Sequence, residues 1–223
     1  MNLKVQLLWA FFISVGALIG FTLLAIAVKG TEGLLAFDRV VISFVQGLEA
    51  PALTTVMKFF TYVGSTKAAI IIALVALYLL YRVQKDRSEL ILFIIVVAGT
   101  PILVSILKNF FQRARPEFHR LIEIGGYSFP SGHSMNAFAI YGMITFLFWR
   151  HIPTRLGRTI LILGSSVFIL MIGTSRVYLG VHYPSDVIGG YLASGFWLSS
   201  VIWVYQRYKE RRYERLVLSK NPR

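Results

Sequence analysis

The chain has 223 residues, of which 56% are hydrophobic and only 15% charged, with a mean hydropathy of +0.67. A soluble domain carries about 25% charged residues, and here the apolar residues gather into long runs, so the composition excludes an ordinary soluble globule and reads as an all-α integral membrane protein. The net charge of +13 does not signal nucleic acid, because the basic residues fall in short loops and at the C-terminus rather than along a groove with stacking aromatics; zero cysteines exclude disulfides, thiolate catalysis and Cys-based metal sites.

A bilayer core takes about 20 mostly apolar residues per helix. Six transmembrane segments answer to that, at about 7–28, 66–81, 90–107, 134–149, 158–174 and 187–205. No linker divides them, so residues 1–223 read as a single membrane-embedded domain, one bundle of six helices. Lys4 and the Ala25-Ile26-Ala27 stretch give the first segment some features of a signal peptide. Its apolar run exceeds the ~7–15 residues of such a peptide, so it is read as a retained helix. Gly16 and Gly20 within it form a GxxxG pair suited to close packing inside the bundle.

Between the first and second spans, Phe37, Val40, Val41, Phe44, Val45 and Leu48 recur at helical spacing, with Asp38, Gln46 and Glu49 elsewhere around the helix. After Pro51, Leu53, Met57 and Phe60 continue a similar stripe. The pattern predicts amphipathic interfacial helices over 37–60, and it equally suits a cap on the bundle.

Six spans put both termini on one side. Fourteen of the 23 Lys and Arg residues fall on that side, seven of them after residue 205. The positive-inside bias therefore places both termini in the cytoplasm. His151 falls on the same side and is not expected to be catalytic.

Three polar stretches interrupt the apolar runs: KNFFQRARP at 108–116, PSGHS at 130–134 and SRVYLGVHYPSD at 175–186. They lie at the end of span three, the start of span four, the end of span five and the start of span six. In an alternating bundle all four of those ends face one side. Lys108, Arg115 and Arg176 are cations, two of them planar forks suited to phosphate oxygens. Ser131 and Gly132 sit where a helix begins, and free N–H groups there favour an anion. His133 and His182 offer a nucleophile and a proton donor near neutral pH. Asp186, four residues after His182, can fix its tautomer. Pro184 fits a first helical turn but not an interior, so the last helix is predicted to begin at about Pro184, with His182 just outside it. These groups describe a phosphoryl-transfer site.

The stretches resemble, in order and spacing, the K-x6-RP, PSGH and SR-x5-H-x3-D signatures of the phosphatidic acid phosphatase type 2 superfamily. Here they read Lys108…Arg115-Pro116, Pro130-Ser131-Gly132-His133 and Ser175-Arg176…His182…Asp186. Size and layout look like the bacterial membrane phosphatases of the phosphatidylglycerophosphatase B type. The resemblance implies a cofactor-free and metal-independent hydrolase of a lipid phosphate held in the bilayer, with no obligate protein partner. His182 would attack phosphorus, Asp186 orient it, and His133 act as acid and then base. Lys108, Arg115, Arg176 and the Ser131–Gly132 backbone would hold the phosphate oxygens. Phosphatidylglycerol phosphate is the first substrate so implied, undecaprenyl diphosphate the second and phosphatidic acid the third.

An anionic lipid or phosphate transporter would use the same residue types, but deep within its spans. A non-catalytic binding protein of this fold would be expected to lack His133 or His182. Zinc on His133, His182 and Asp186 is opposed by the nearby cations. Arg113, Glu117, His119, Arg120 and Glu123 lie outside the motifs and read as a solvated loop that can lend the head group a contact or two; the IGGYSFP stretch at 124–130 reads as its flexible part.

Overall fold

The long apolar runs become helices because, away from water, a backbone must satisfy its own N–H and C=O groups. The computed structural model describes residues 3–30, 32–83, 87–117 and 119–220. Among these the chain forms eight α-helices and no strand: α1 (Leu3–Gly30), α2 (Glu32–Gln46), α3 (Pro51–Val63), α4 (Thr66–Val83), α5 (Ser88–Phe111), α6 (Gly132–Phe148), α7 (Arg155–Tyr178) and α8 (Pro184–Lys220). Five of them, α1, α4, α5, α7 and α8, are long and apolar enough to cross a membrane. The fourth predicted span, now α6, has 17 residues and a length of about 25 Å, short of a hydrocarbon core of about 30 Å.

α6 is the axis of the assembly and packs against α4, α5, α7 and α8. Its buried face carries Met135, Ala139, Met143 and Leu147. The latter three join Leu80 of α4, Leu92, Phe93 and Val96 of α5, and Leu198 and Ile202 of α8 in the main apolar core. α1 lies along α8, with Ser14 Oγ 2.6 Å from Ser200 Oγ. Of the GxxxG pair, Gly20 meets Leu192 of α8, whereas Gly16 faces open space, so one glycine does the predicted packing and the other does not. The outer faces of α1, α4, α5 and α7 expose Leu23, Leu74, Ile102 and Leu163. Such broad apolar exposure suits lipid.

Helix boundaries run beyond most of the predicted spans. α5 extends to Phe111 and thereby includes Lys108, while α8 continues through its basic stretch to Lys220. The apolar run marks the thickness of the core, whereas a helix persists into headgroup and water wherever no breaker intervenes. Of the charges used for orientation, Lys85 and Arg223 lie outside the described residues.

The 37–60 segment departs from a simple surface helix. Of the predicted stripe, Phe37, Val40 and Phe44 of α2 and Leu48 just after it are exposed, whereas Val45 packs inward. The opposite face buries Ile42 against Val177 and Val187, with Asp38 completely buried beside it. α3 does the reverse: Met57 packs on Tyr178, Leu179 and Val181, with Leu53 alongside, and Phe60 meets Phe168. One half thus turns its apolar stripe outward, and the other uses it to cap α7.

Candidate active site

α7 ends at Tyr178, and the chain turns at Gly180, whose φ of +72° favours glycine. A Cβ there would lie 2.2 Å from the His119 carbonyl oxygen, so the close approach also demands glycine. The Arg176 carbonyl accepts from the N–H groups of Val181 (3.1 Å) and His182 (3.3 Å), which folds the turn back onto the helix end. α8 then begins at Pro184, as predicted. His182 lies just before the helix and Asp186 in its first turn.

The His182 imidazole is 2% exposed and the Asp186 carboxylate fully buried. His182 Nδ1 stands 3.3 Å from Asp186 Oδ2. That contact assigns the proton to Nδ1 and leaves the Nε2 lone pair outward. Oδ2 also accepts from the Tyr183 N–H at 2.9 Å and from the Ser128 hydroxyl. Ser128 Oγ lies 3.3 Å from His182 Nδ1 as well. Burial pushes the His182 imidazole down to about 4, against the upward pull of Asp186; the Arg176 and Arg115 charges act with the burial. The ring is therefore neutral at pH 7, as a nucleophile must be.

Arg115 Nη1 faces His182 Nε2 at 3.2 Å while donating to the Val181 carbonyl at 2.7 Å. Its Nε and Nη2 donate to the Gly126 and Tyr127 carbonyls at 2.9 and 3.2 Å. Burial lowers its pKa without removing its charge. Lys108 Nζ donates to the same Tyr127 carbonyl at 2.7 Å. Arg176 is 1% exposed; one Nη donates to Thr61 Oγ1, and Nε makes no hydrogen bond among the described residues. An unmatched guanidinium N–H so deeply buried fits a site for an anion. Arg176 thus lies inside the protein.

Opposite these cations α6 begins at Gly132, capped by Ser131. Ser131 N–H donates to the Asp186 carbonyl at 3.0 Å, and its Oγ accepts from Ser134 N–H. Neither Gly132 N–H nor His133 N–H has a partner among the described residues. The free donors predicted for Ser131–Gly132 thus fall one residue later, because α8 has engaged Ser131. That approach is close: a Cβ at Gly190 would sit 2.9 Å from the Ser131 carbonyl oxygen, and one at Gly189 would strike the Phe129 ring. His133 lies against Gly64, and its charged neighbours are Arg176, His182, Lys108 and Arg115. All eight residues singled out in the three motifs therefore come together at one end of the bundle.

The loop residues divide differently from expectation. His119 pairs with Glu49 at 3.2 Å, Arg120 donates to the Pro116 carbonyl, and Glu117 and Glu123 are exposed. Arg113 is instead drawn inside. Its Nη1 donates to Asp186 Oδ1 at 2.6 Å and to Ser185 Oγ at 2.8 Å, and its Nη2 to Asp38 Oδ2 at 2.9 Å. The expected flexible stretch is tied down too, since Ser128 and the Gly126 and Tyr127 carbonyls hold the site's own side chains. Asp38, Thr61 and Ser128 lie outside the three stretches, while Arg113 and Ser185 lie inside them at positions the signatures leave open, so motif reading passes over all five. A lone aspartate on the weakly polar side of α2 was the one available signal.

The PAP2 superfamily model matches residues 89–211. A phosphatidylglycerophosphatase B of Bacillus subtilis is 33% identical over 77% of this chain and 84% of its own length. An undecaprenyl-diphosphatase of the same organism is 33% identical over 61% of this chain and 67% of its own length. The crystal structure of a transmembrane PAP2-type phosphatidylglycerolphosphate phosphatase from Bacillus subtilis superposes with a TM-score of 0.79 at 27% identity, covering 90% of this chain and 97% of that one. The phosphoryl-transfer chemistry read from the site and the multi-pass helical fold converge with these likenesses: the chain belongs to the PAP2 superfamily and is a membrane lipid phosphatase.

Proposed function

We propose that the protein hydrolyses phosphatidylglycerol phosphate to phosphatidylglycerol on the outer face of the cell membrane, without metal or cofactor, through a phosphohistidine on His182. The observation that carries the chemistry is the His182–Asp186 contact of 3.3 Å with Nε2 turned toward Arg115. Nε2 attacks phosphorus in line and the P–O bond to the lipid breaks. His133 gives its proton to the departing oxygen. Water then attacks phosphorus, His133 takes a proton from it, and the P–N bond breaks to release phosphate. Arg115, Arg176, Lys108 and the helix start at Gly132 stabilise the charge that spreads over the phosphoryl oxygens.

Its placement follows from the same reading. α6 is the fourth of six spans, its short length made up by a site recessed toward the headgroups. The predominance of Lys and Arg on the other side supports cytoplasmic termini. α2, with its apolar stripe exposed and its far face docked on α7 and α8, serves as the interfacial element beside the entry for lipid.

Phosphatidylglycerol phosphate is favoured by the relative matched over the larger share of the chain. The undecaprenyl-diphosphatase relative supports a second reading, with a polyprenyl diphosphate as substrate. Detergent-purified protein given each lipid in the same micelles decides between them. The expected result is faster phosphate release from phosphatidylglycerol phosphate, undiminished by a chelator, with acid-labile phosphate trapped on His182. A preference for the polyprenyl diphosphate selects the second reading, and inhibition reversed by a metal overturns the mechanism.

A further inference from the structure

Asp38 is the buried acid that this chemistry leaves without a role. It is fully buried although α2 is otherwise amphipathic with an exposed apolar stripe. Its Oδ1 accepts from the Ser185 N–H at 2.9 Å, and its Oδ2 accepts from the Ser185 hydroxyl at 2.6 Å and from Arg113 Nη2 at 2.9 Å. Burying a carboxylate is costly unless it is paired and fully hydrogen-bonded, and here it is both. The partner is the same guanidinium whose other nitrogen holds Asp186 Oδ1 at 2.6 Å. Arg113 also stacks on the Tyr183 ring at 4.0 Å, and its carbonyl accepts from the Ser128 N–H at 2.8 Å.

We infer that Asp38 is a positioning residue for the phosphatase reaction: through Arg113 it locks the Asp186 carboxylate with Oδ2 toward His182, and by sharing the guanidinium it leaves Asp186 the negative charge that orients and activates the ring. The inference rests on the reading of His182 and Asp186 as the reacting pair. The geometry gives each carboxylate oxygen a distinct duty. Oδ1 of Asp186 is held by Arg113, so the carboxylate cannot rotate, while Oδ2 gathers Ser128, Tyr183 N–H and His182. The charge argument follows from counting partners. One guanidinium facing one carboxylate would neutralise it, whereas one facing two leaves a net negative charge beside His182. The ring's other charged neighbours, Arg115 and Arg176, are positive. Without Asp38, the Asp186 charge that faces them would be matched by Arg113 alone. Asp38 arrives on α2, the helix next to the proposed lipid entry, so the seating of that helix and the alignment of the reacting pair are one structure.

Docking alone would give Asp38 a structural role, and the test separates the two. Full-length D38N and I42A are compared with the native protein in the same micelles, using phosphatidylglycerol phosphate. Both variants weaken the docking of α2, since Ile42 is buried against Val177 and Val187, but only D38N loses the charge. For D38N the expected result is a kcat about 10–100-fold lower, the scale seen when an outer partner of a reactive group is removed, with KM within about threefold. The acid limb of its kcat/KM profile moves to lower pH, because Asp186, drawn fully to Arg113, pulls less on the His182 proton. I42A keeps most of its kcat and its pH profile. Equal activity in D38N and native protein overturns the inference, as does a parallel fall in D38N and I42A that tracks lost thermal stability. Should D38N fail to fold, R113K carries the test, since an ammonium cannot bridge both carboxylates as the fork does; a native kcat in R113K overturns it equally. The two failures stay distinct. An inert native protein sinks the phosphatase reading, while an active native protein with an equally active D38N sinks only this inference.

Discussion

The two ends of the bundle are built on different principles. At the site end the interior is polar: Asp38, Arg113, Ser128, Arg176, His182, Ser185 and Asp186 are all withdrawn from solvent and linked by hydrogen bonds. At the other end the interior is apolar, with Leu80, Leu92, Phe93, Met143 and Leu147 at its centre. Its charges pair at the edge of that core, where the buried Glu89 lies 3.6 Å from both of the more exposed Arg150 and Lys209. A low-dielectric setting strengthens satisfied hydrogen bonds and penalises unsatisfied ones. Polar interiors therefore fix orientation, whereas apolar interiors fix distance between helices. Substitutions at the first end should alter chemistry more than folding, and at the second the reverse.

The largest effect is expected from His182→Ala, which removes the nucleophile. Phosphate release should fall by at least about 10⁴-fold while the thermal transition in detergent stays near native. Near-native turnover would break the comparison at its centre. Asp186→Asn should cost about 10²–10⁴-fold by favouring the wrong tautomer. The pH dependence carries a sign that can be checked. His182 is active when neutral, and its pKa is pushed down to about 4 from an ordinary 6.5. Activity limited by this ring is therefore lost as pH falls through about 4, and between pH 7 and 5 the imidazole should stay mostly neutral by NMR. In Asp186→Asn the upward pull is gone, and the remaining limb should lie lower still.

Second in size is His133→Ala, which removes the proposed proton donor. The expected loss is about 10²–10⁴-fold, and it should shrink for substrates with better leaving groups, since these need less protonation. A uniform loss across leaving groups would assign His133 to binding instead.

Much of this is legible in the sequence. Parity of helix ends brings Lys108, His133, Arg176 and Asp186 to one layer because a membrane helix enters on one side and leaves on the other. Proline's restriction to a first turn places the start of α8 at Pro184 and His182 outside it. The partners of Asp186 were not legible. An aspartate at position 38 looks the same whether its side of α2 meets solvent or Arg113, since helical periodicity records that a face is polar and not what covers it. Arg113 reads as loop charge for the same reason. Ser131 was legible as a helix start, but its N–H is engaged by α8, and that depends on two glycines sixty residues away. Six spans were expected; among the described residues five helices reach crossing length and α6, with 17 residues, falls just short of it, because a helix at the centre of a bundle can end where its polar neighbours begin.

Those glycines give the third effect. Gly190→Ala places a methyl 2.9 Å from the Ser131 carbonyl oxygen and 3.0 Å from Ser134 Cβ. Neither neighbour is a flexible side-chain end, so α8 and the start of α6 must part by a few tenths of an ångström. His133 rides on one of these elements and Asp186 on the other. Misplacement of reacting groups by about 1 Å costs up to about 10²-fold, so a loss of about tenfold in kcat is expected. Unchanged kcat would mean that the two helix starts need not be held so tightly.

The smallest effect on turnover belongs to the apolar end and is the sharpest check on the contrast. Met143 is fully buried among Leu80, Phe93, Val96 and Leu147. Met143→Ala opens a cavity there, and such truncations cost about 2–5 kcal/mol in soluble cores. Part of that figure is transfer from water, which is absent where the separated helices remain in lipid. What is lost is the dispersion contact of the thioether with its neighbours, so about 2 kcal/mol is the expected cost, read as a lower transition temperature. Turnover per folded molecule should stay within about twofold of native, because Met143 belongs to an apolar cluster that includes none of the eight motif residues. A large fall in kcat at native folded fraction would show that the packing of α6 is transmitted along its length to His133, and the two ends would then have to be treated as one device.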